Sequence, residues 1–193
     1  MKTKTQNYWE LIIAVVCISV ILPAHVLSPS AALAASASQI DRSSTQSLTA
    51  LYKNTPGSKA LAEKAVAVLV FPSIVKGGFI IAGQFGDGAL RKNGKTVAYY
   101  RSLAASYGFQ AGVQAYGYVL FFMDDASVQY LDNSAGWELG TGPSLVVLDS
   151  GFGKVLSTTT LQSGVYAFVF DQKGLMGGVG IQGSKITKIN PNP

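Results

Sequence analysis

Residues 111–122 read AGVQAYGYVLFF. Side chains along a strand alternate between two faces. That alternation puts Val113, Ala115, Gly117, Val119 and Phe121 on one side and Gln114, Tyr116, Tyr118, Leu120 and Phe122 on the other. By the end of the run both sides are apolar. A sheet with one wet face would show a polar residue at every second position, so this strand belongs to a sheet covered on both faces, or rolled up with something packed outside it. Gly112 and Gly117 interrupt the run. Glycine weakens a strand unless the backbone must bend or approach a neighbour closely, so the expected sheet is tightly coiled.

Similar runs lie to either side: VAVLVF (66–71), GGFIIAGQFGDGALR (77–91), TVAYYRSLAA (96–105), WELGTGPSLVVL (137–148), VYAFVF (165–170) and GLMGGVGIQGSKI (174–186), the last with glycine at five of thirteen positions. Seven β-rich segments predict a mainly antiparallel sheet. Asn93-Gly94 between two of them is the preferred dipeptide of a tight hairpin. Before the strands, DRSSTQSLTALYKN (41–54) sets Leu48, Leu51 and Tyr52 on one helical face, and Pro56-Gly57 stops it. A second short helix, SKALAEKA (58–65), takes Ser58 as its N-cap, and a third, DDASVQYLDN (124–133), is capped by Asp124 with Val128 and Leu131 facing inward. The fold expected is α+β: short N-terminal helices packed on a strongly coiled, mainly antiparallel, Gly-rich sheet, either open or closed as a barrel.

The first forty residues follow different rules. Lys2 and Lys4 precede an apolar run of about a dozen residues, Leu11–Leu22, short of the ~20 needed to span a bilayer, and Ala32-Leu33-Ala34 offers small residues to a signal peptidase. Residues 1–34 therefore read as a signal peptide, 35–40 as a flexible leader and 41–193 as a single domain. Cys17 sits in mid-run behind Val16, the wrong setting for a lipid-bearing cysteine. Cleavage near Ala34 removes Cys17 and His25, the chain's one cysteine and one histidine, and leaves 13 basic against 9 acidic residues, about +4. Nucleophilic pairs that use an imidazole base, ordinary zinc sites and disulfides are all excluded from such a mature chain. Its charge suits anionic surfaces without demanding nucleic acid.

Two glycine motifs do not survive their context. Gly178-x-Gly180-x-x-Gly183 should open a helix if it bound a dinucleotide, but SKITKIN (184–190) alternates as a strand does. GALRKNGKT (88–96) has five residues between Gly88 and Gly94 where a phosphate loop has four, and it reads better as the hairpin. Asp124-Asp125, the one adjacent pair of carboxylates, is accounted for by helix capping. Ser184 and Lys185 are neighbours on a strand and face opposite sides, which breaks a Ser–Lys catalytic pair. No catalytic residue, metal or cofactor is assigned. Basic residues are more suggestive. Lys76, Arg91, Lys92, Lys95 and Lys185, with Arg101 and Lys173 nearby, sit mostly at strand ends. They either gather at one rim and offer cations to phosphates, or simply solvate loop tips. Tyr99, Tyr100, Tyr116, Tyr118 and Trp137 would serve an interfacial belt or, more simply, a core.

Taken together, VLVFPSIVKGGFIIAGQFGDGAL (68–90), YGFQAGVQAYGYVLFFM (107–123), GWELG (136–140) and FDQKGLMGGVGIQGSKITKI (170–189) resemble the SYLF, or Ysc84-type, domain in its bacterial secreted form. The resemblance runs from about Leu48 to Ile189. It implies a non-enzymatic lipid-binding module; joined to the signal segment and the strand-end cations, the expectation is an exported protein, periplasmic or associated with an envelope membrane, that binds a phospholipid membrane surface through Lys76, Arg91, Lys92, Lys95 and Lys185. No nucleotide and no nucleic acid enters that reading. The alternative is a structural or protein-partner module of the envelope. Eukaryotic relatives bind phosphoinositides and some bind actin filaments, but an exported bacterial protein would meet no actin, and the helix at 41–54 offers only Arg42 and Lys53 as cations.

Overall fold

Ser36 caps the first described helix. Its hydroxyl accepts from the Gln39 amide (3.3 Å) while the Gln39 side chain accepts from the Ser36 amide (2.9 Å), a reciprocal capping box that starts helix α1, Ala37–Asn54. The structure, a computed structural model, describes residues 35–78, 81–107, 112–133, 136–148, 163–174, 181 and 183–193. Residues 1–34, expected as a signal peptide, and most of the glycine-rich run 175–182 lie outside the described residues. Helix therefore occupies positions that composition assigned to a leader, and Ile40 within them is buried. The second helix, α2 (Pro56–Lys64), also begins earlier than expected. Pro56 fits the first helical turn, where no amide bond is needed, and Ser58 lies inside the helix with its hydroxyl donating to the Thr55 carbonyl (2.6 Å) instead of capping. Helix α3 (Asp125–Asn133) starts as expected, with the Asp124 carboxylate accepting from the Ser127 amide (2.7 Å) and Val128 and Leu131 buried.

Among the described residues eight strands form one sheet: β1 Ala67–Gly78, β2 Ile81–Lys92, β3 Lys95–Tyr107, β4 Gly112–Phe122, β5 Trp137–Glu138, β6 Leu145–Leu148, β7 Val165–Gly174 and β8 Lys185–Ile189. Their order is β5-β8-β3-β2-β1-β4-β7-β6, and every pairing but β6 with β7 is antiparallel. The run 137–148, expected as a single strand, is broken at Gly140, Gly142 and Pro143 and supplies both edges, β5 and β6. Of the run 174–186, residues 175–180 and 182 lie outside the described residues; Gly174 belongs to β7, and Lys185 and Ile186 belong to β8.

The curl follows from one contact. Phe122 on β4 and Trp137 on β5 are five strand positions apart, about 24 Å on a flat sheet at ~4.8 Å per strand. Their ring centroids are 5.9 Å apart. The sheet therefore bends into a half-barrel with this face inward, and among the described residues its edges β5 and β6 do not pair to close it. The concave face holds the larger core, with Leu69, Phe71, Ile74, Tyr100, Tyr116, Tyr118, Leu120 and Phe122 packed against α3 and Trp137. On the convex face Val68, Val70, Val119, Phe121, Tyr166 and Phe168 pack under Leu48, Leu51 and Leu61 of α1 and α2. The two-faced apolar pattern of 111–122 is thus resolved, one set to each core.

Candidate functional site

Antiparallel register fixes where each candidate cation lies. Arg91 pairs with Val68 and Thr96, and Lys92 with Lys95, so these three stand together at the β2–β3 hairpin. Asn93 and Gly94 make its turn with φ of 50° and 74°, the left-handed pair that the dipeptide favours. Arg91 lies beneath α1, its guanidinium donating to the Asp41 carbonyl (2.9 Å) and the Thr45 hydroxyl (2.6 Å). Lys76 pairs with Gln84 and Gln114, both buried on the concave side, and Lys185 pairs with Leu103 on the convex side. These two belong to the opposite end of the sheet, Lys185 level with Val75 and Lys76 one residue further along β1 from the hairpin level at Val68, on the order of 20 Å away. The five residues expected to share a rim fall into three places.

The aromatic residues are core. Tyr100, Tyr116, Tyr118 and Trp137 are buried, and Tyr99 is held at the surface by donating to the Asp41 carboxylate (3.0 Å). The Tyr118 hydroxyl meets Ser102 (2.8 Å), the Tyr116 hydroxyl donates to Gln84 (2.8 Å), and Gln84 donates to Ser184 (2.6 Å). Burial pushes Tyr116 up to about 12 and raises Tyr100 and Tyr118 further, so all three stay neutral at ordinary pH. Such a network fastens a core. Among the described residues no cluster of His, Cys, Asp or Glu is placed to hold a metal, and no helix is long and apolar enough to cross a membrane, which says nothing of spanning by strands.

One surface departs from a sheet's usual partition. Beyond the ends of α1 and α2, the convex face of the central strands is bare and apolar. Val75 of β1, Phe85 of β2 and Leu103 of β3 lie side by side at 50%, 45% and 44% exposure, with Val113 of β4 at 64% and Ile81 of β2 at 67% beside them. Exposed central strands ordinarily turn polar residues to water, and a contiguous apolar patch marks a contact surface. Lys185 continues the row past Leu103, and Lys173 ends it on the other flank beyond Ala115. Both lysines are exposed and have no ion-pair partner among the described residues, although Glu138 is the next residue across from Lys185. Arg101 borders the row, its charge spent on a two-pronged pair with Asp87 (2.7 and 2.9 Å) while it stacks over Phe85 at 4.7 Å. Sequence reasoning missed this surface, although its signal was present as VKGGFIIAGQF (75–85), apolar at both phases of the alternation.

The described residues thus form an α+β half-barrel whose convex face carries an exposed apolar row. Residues 103–191 match the family model described as Ysc84: Las17-binding protein actin regulator. The matched residues, just under half of the chain, overlap the blocks that resemble the same family in sequence. No curated protein matches the chain.

Proposed function

We propose that the protein is a non-enzymatic phospholipid-binding module of the bacterial cell envelope. The observation that supports this best is the apolar row Val75–Phe85–Leu103, with Ile81 and Val113, bracketed by Lys173 and Lys185. Aliphatic and aromatic side chains at such a rim enter the acyl–headgroup boundary, and flanking ammonium groups meet phosphate oxygens. Lys185 keeps the role first given to it. Lys76, at the same end of the central strand β1 but on the concave side, lies apart from this row. Each lysine contributes on the order of 1 kcal/mol near an anionic surface, so attachment weakens as salt rises.

The test is co-sedimentation with vesicles of equimolar phosphatidylglycerol and phosphatidylcholine, compared with phosphatidylcholine alone, at low and high salt. The mature chain is expected to pellet with the anionic vesicles and to be released by salt. Leu103→Glu, at a side chain already in water, should leave thermal stability nearly unchanged and cut vesicle binding about tenfold or more. Equal binding by wild type and variant, or no response to lipid charge, would dismiss this surface. In that case a partner protein retained from envelope extract by the wild type and lost by Leu103→Glu would favour the protein-partner alternative.

A further inference from the structure

Where β4 ends and α3 begins, the chain turns past the starts of β6 and β7, and these segments frame an open cleft of about 440 Å³. It lies at the hairpin end of the sheet, because Phe122 is level with Ala67 on one side and Val165 on the other. Asp124, Ser127 and Tyr130 line it from α3 and its cap, Ser144 and Gly164 from the facing wall. That wall is held by its own bonds. The Ser144 hydroxyl accepts from the Gly164 amide (3.0 Å), the Ser163 hydroxyl donates to the Ser144 carbonyl (2.6 Å), and the Met123 amide donates to the Gly164 carbonyl (2.9 Å). Tyr130 is fixed as well: its ring meets Trp137 edge-on at 6.4 Å between centroids, and the Gly142 backbone lies so close that a Cβ there would strike the ring. Even so, 41% of Tyr130 is exposed.

The polar groups of the cleft are only partly used. Asp124 caps α3 through Oδ1, which accepts from the Ser127 amide (2.7 Å), while Oδ2 has no hydrogen-bond partner among the described residues. Ser127 is 4% exposed, yet neither its hydroxyl nor that of Tyr130 has a partner among them. A Cβ at residue 164 would stand against the Ser127 hydroxyl and near Asp124 Oδ2, so glycine there keeps both oxygens uncovered. A ligand that displaces solvent here must therefore offer donors to the carboxylate and acceptors to the hydroxyls.

We propose that this cleft is a carbohydrate site that takes one ring of a neutral oligosaccharide. Adjacent hydroxyls of a pyranose each donate and accept, which is the mixture these side chains leave unmet. Asp124 Oδ2 accepts from ring hydroxyls in charge-assisted bonds, and the Ser127 and Tyr130 hydroxyls donate to neighbouring sugar oxygens. The exposed Tyr130 ring meets the apolar C–H face of the sugar. An anionic ligand is disfavoured, since Asp124 lines the cleft, Asp125 follows it and no Lys or Arg is among the described lining residues. A simple ammonium would satisfy Asp124 and the Tyr130 ring but leave both hydroxyl donors without an acceptor. Ala126 and Pro143 complete the lining with small apolar surfaces, which suit the methyl of an acetamido substituent. The volume falls in the range of small-molecule sites. The cleft and the bare convex row share no residue and lie at opposite ends of the sheet, so either can fail without the other.

Amide-resolved NMR titration of the mature chain with maltotriose and with triacetylchitotriose tests the assignment, with glycerol and ethylammonium as controls. Saturable shifts are expected with at least one of the two sugars, at the Ser127, Ser144 and Gly164 amides and the Trp137 indole. Binding of the acetylated sugar alone assigns Ala126 and Pro143 to its acetamido methyl. Tyr130→Ala should weaken binding about tenfold by removing the ring face. Asp124→Asn should weaken it about threefold or more while α3 stays capped, because asparagine caps a helix as well as aspartate does. Should Tyr130→Ala unfold, Asp124→Asn decides by itself. No saturable shift with either sugar, shifts that glycerol or ethylammonium reproduces at the same concentration, or binding that Asp124→Asn leaves unmoved would overturn the proposal.

Discussion

Gly88 shows how a single hydrogen atom in place of a side chain permits the curl. It lies on the concave face of β2, opposite Tyr100, where a Cβ would collide with the Val70 carbonyl oxygen and the Phe71 ring. The carbonyl belongs to the backbone of the neighbouring strand and cannot rotate away. Gly88→Ala should therefore destabilise the protein by about 1–3 kcal/mol, as overpacking of a filled core does. Gly83, five residues earlier on the convex side, has open space where its Cβ would be, and Gly83→Ala should fall within about 0.5 kcal/mol of wild type. Urea unfolding of the two variants checks both. Glycine content alone announced that the backbone would be crowded somewhere. It did not tell Gly88 from Gly83, because that difference lies in which residue of β1 passes behind each, and this is a matter of register.

At the scale of elements, signals that act within three or four residues were readable and longer-range ones were not. Asn93-Gly94 forms its hairpin and Asp124 caps α3 because in each case the bond is closed locally. The same logic applied to Ser36 and Gln39, whose spacing is that of a capping box, but alanine- and serine-rich composition concealed it. If the box sets the start of α1, Ser36→Ala should cost about 1 kcal/mol and raise amide exchange from Ala37 to Ile40 while leaving the second half of the helix protected. The start of α1 is also tied at long range, its Ala37 amide donating to the Asn192 carbonyl (2.7 Å). Nothing near residue 37 in the sequence discloses that contact. The break of 137–148 into two edge strands was partly legible in Gly140, Gly142 and Pro143, but their assignment to opposite edges was not.

For the whole molecule, the concave core carries a pH dependence that no isolated segment would have. Burial holds the hydroxyl of Tyr116 up at about 12 and those of Tyr100 and Tyr118 higher still, against an ordinary value of 10.0 in the unfolded chain. A raised native pKa means that the fold keeps protons the unfolded state would release. The associated stability is complete below pH 10 and is lost as pH climbs from 10 through 12, by about 1.4 kcal/mol per pH unit for each such tyrosine. Absorbance at 295 nm and far-ultraviolet circular dichroism should consequently change together in this window, with phenolate appearing only as the sheet unfolds. Early ionisation of all three rings in an intact fold would contradict their burial.

By itself the sequence determined the α+β class, the two-sided apolar strands and the resemblance that the family model bears out over residues 103–191, since all of these depend on residue type and short-range alternation. Tertiary structure decided which apolar face is covered and which is bare. Val75, Phe85 and Leu103 are as hydrophobic in sequence as Val70 and Val119, but α1 and α2 reach only the latter pair. Structure also separated Arg91, Lys92 and Lys95 from Lys76 and Lys185, because antiparallel pairing sends residues near in sequence to opposite ends of the sheet. Charge and hydropathy are properties of a residue, whereas being covered, or sharing a rim, is a property of how strands pair and where a helix stops.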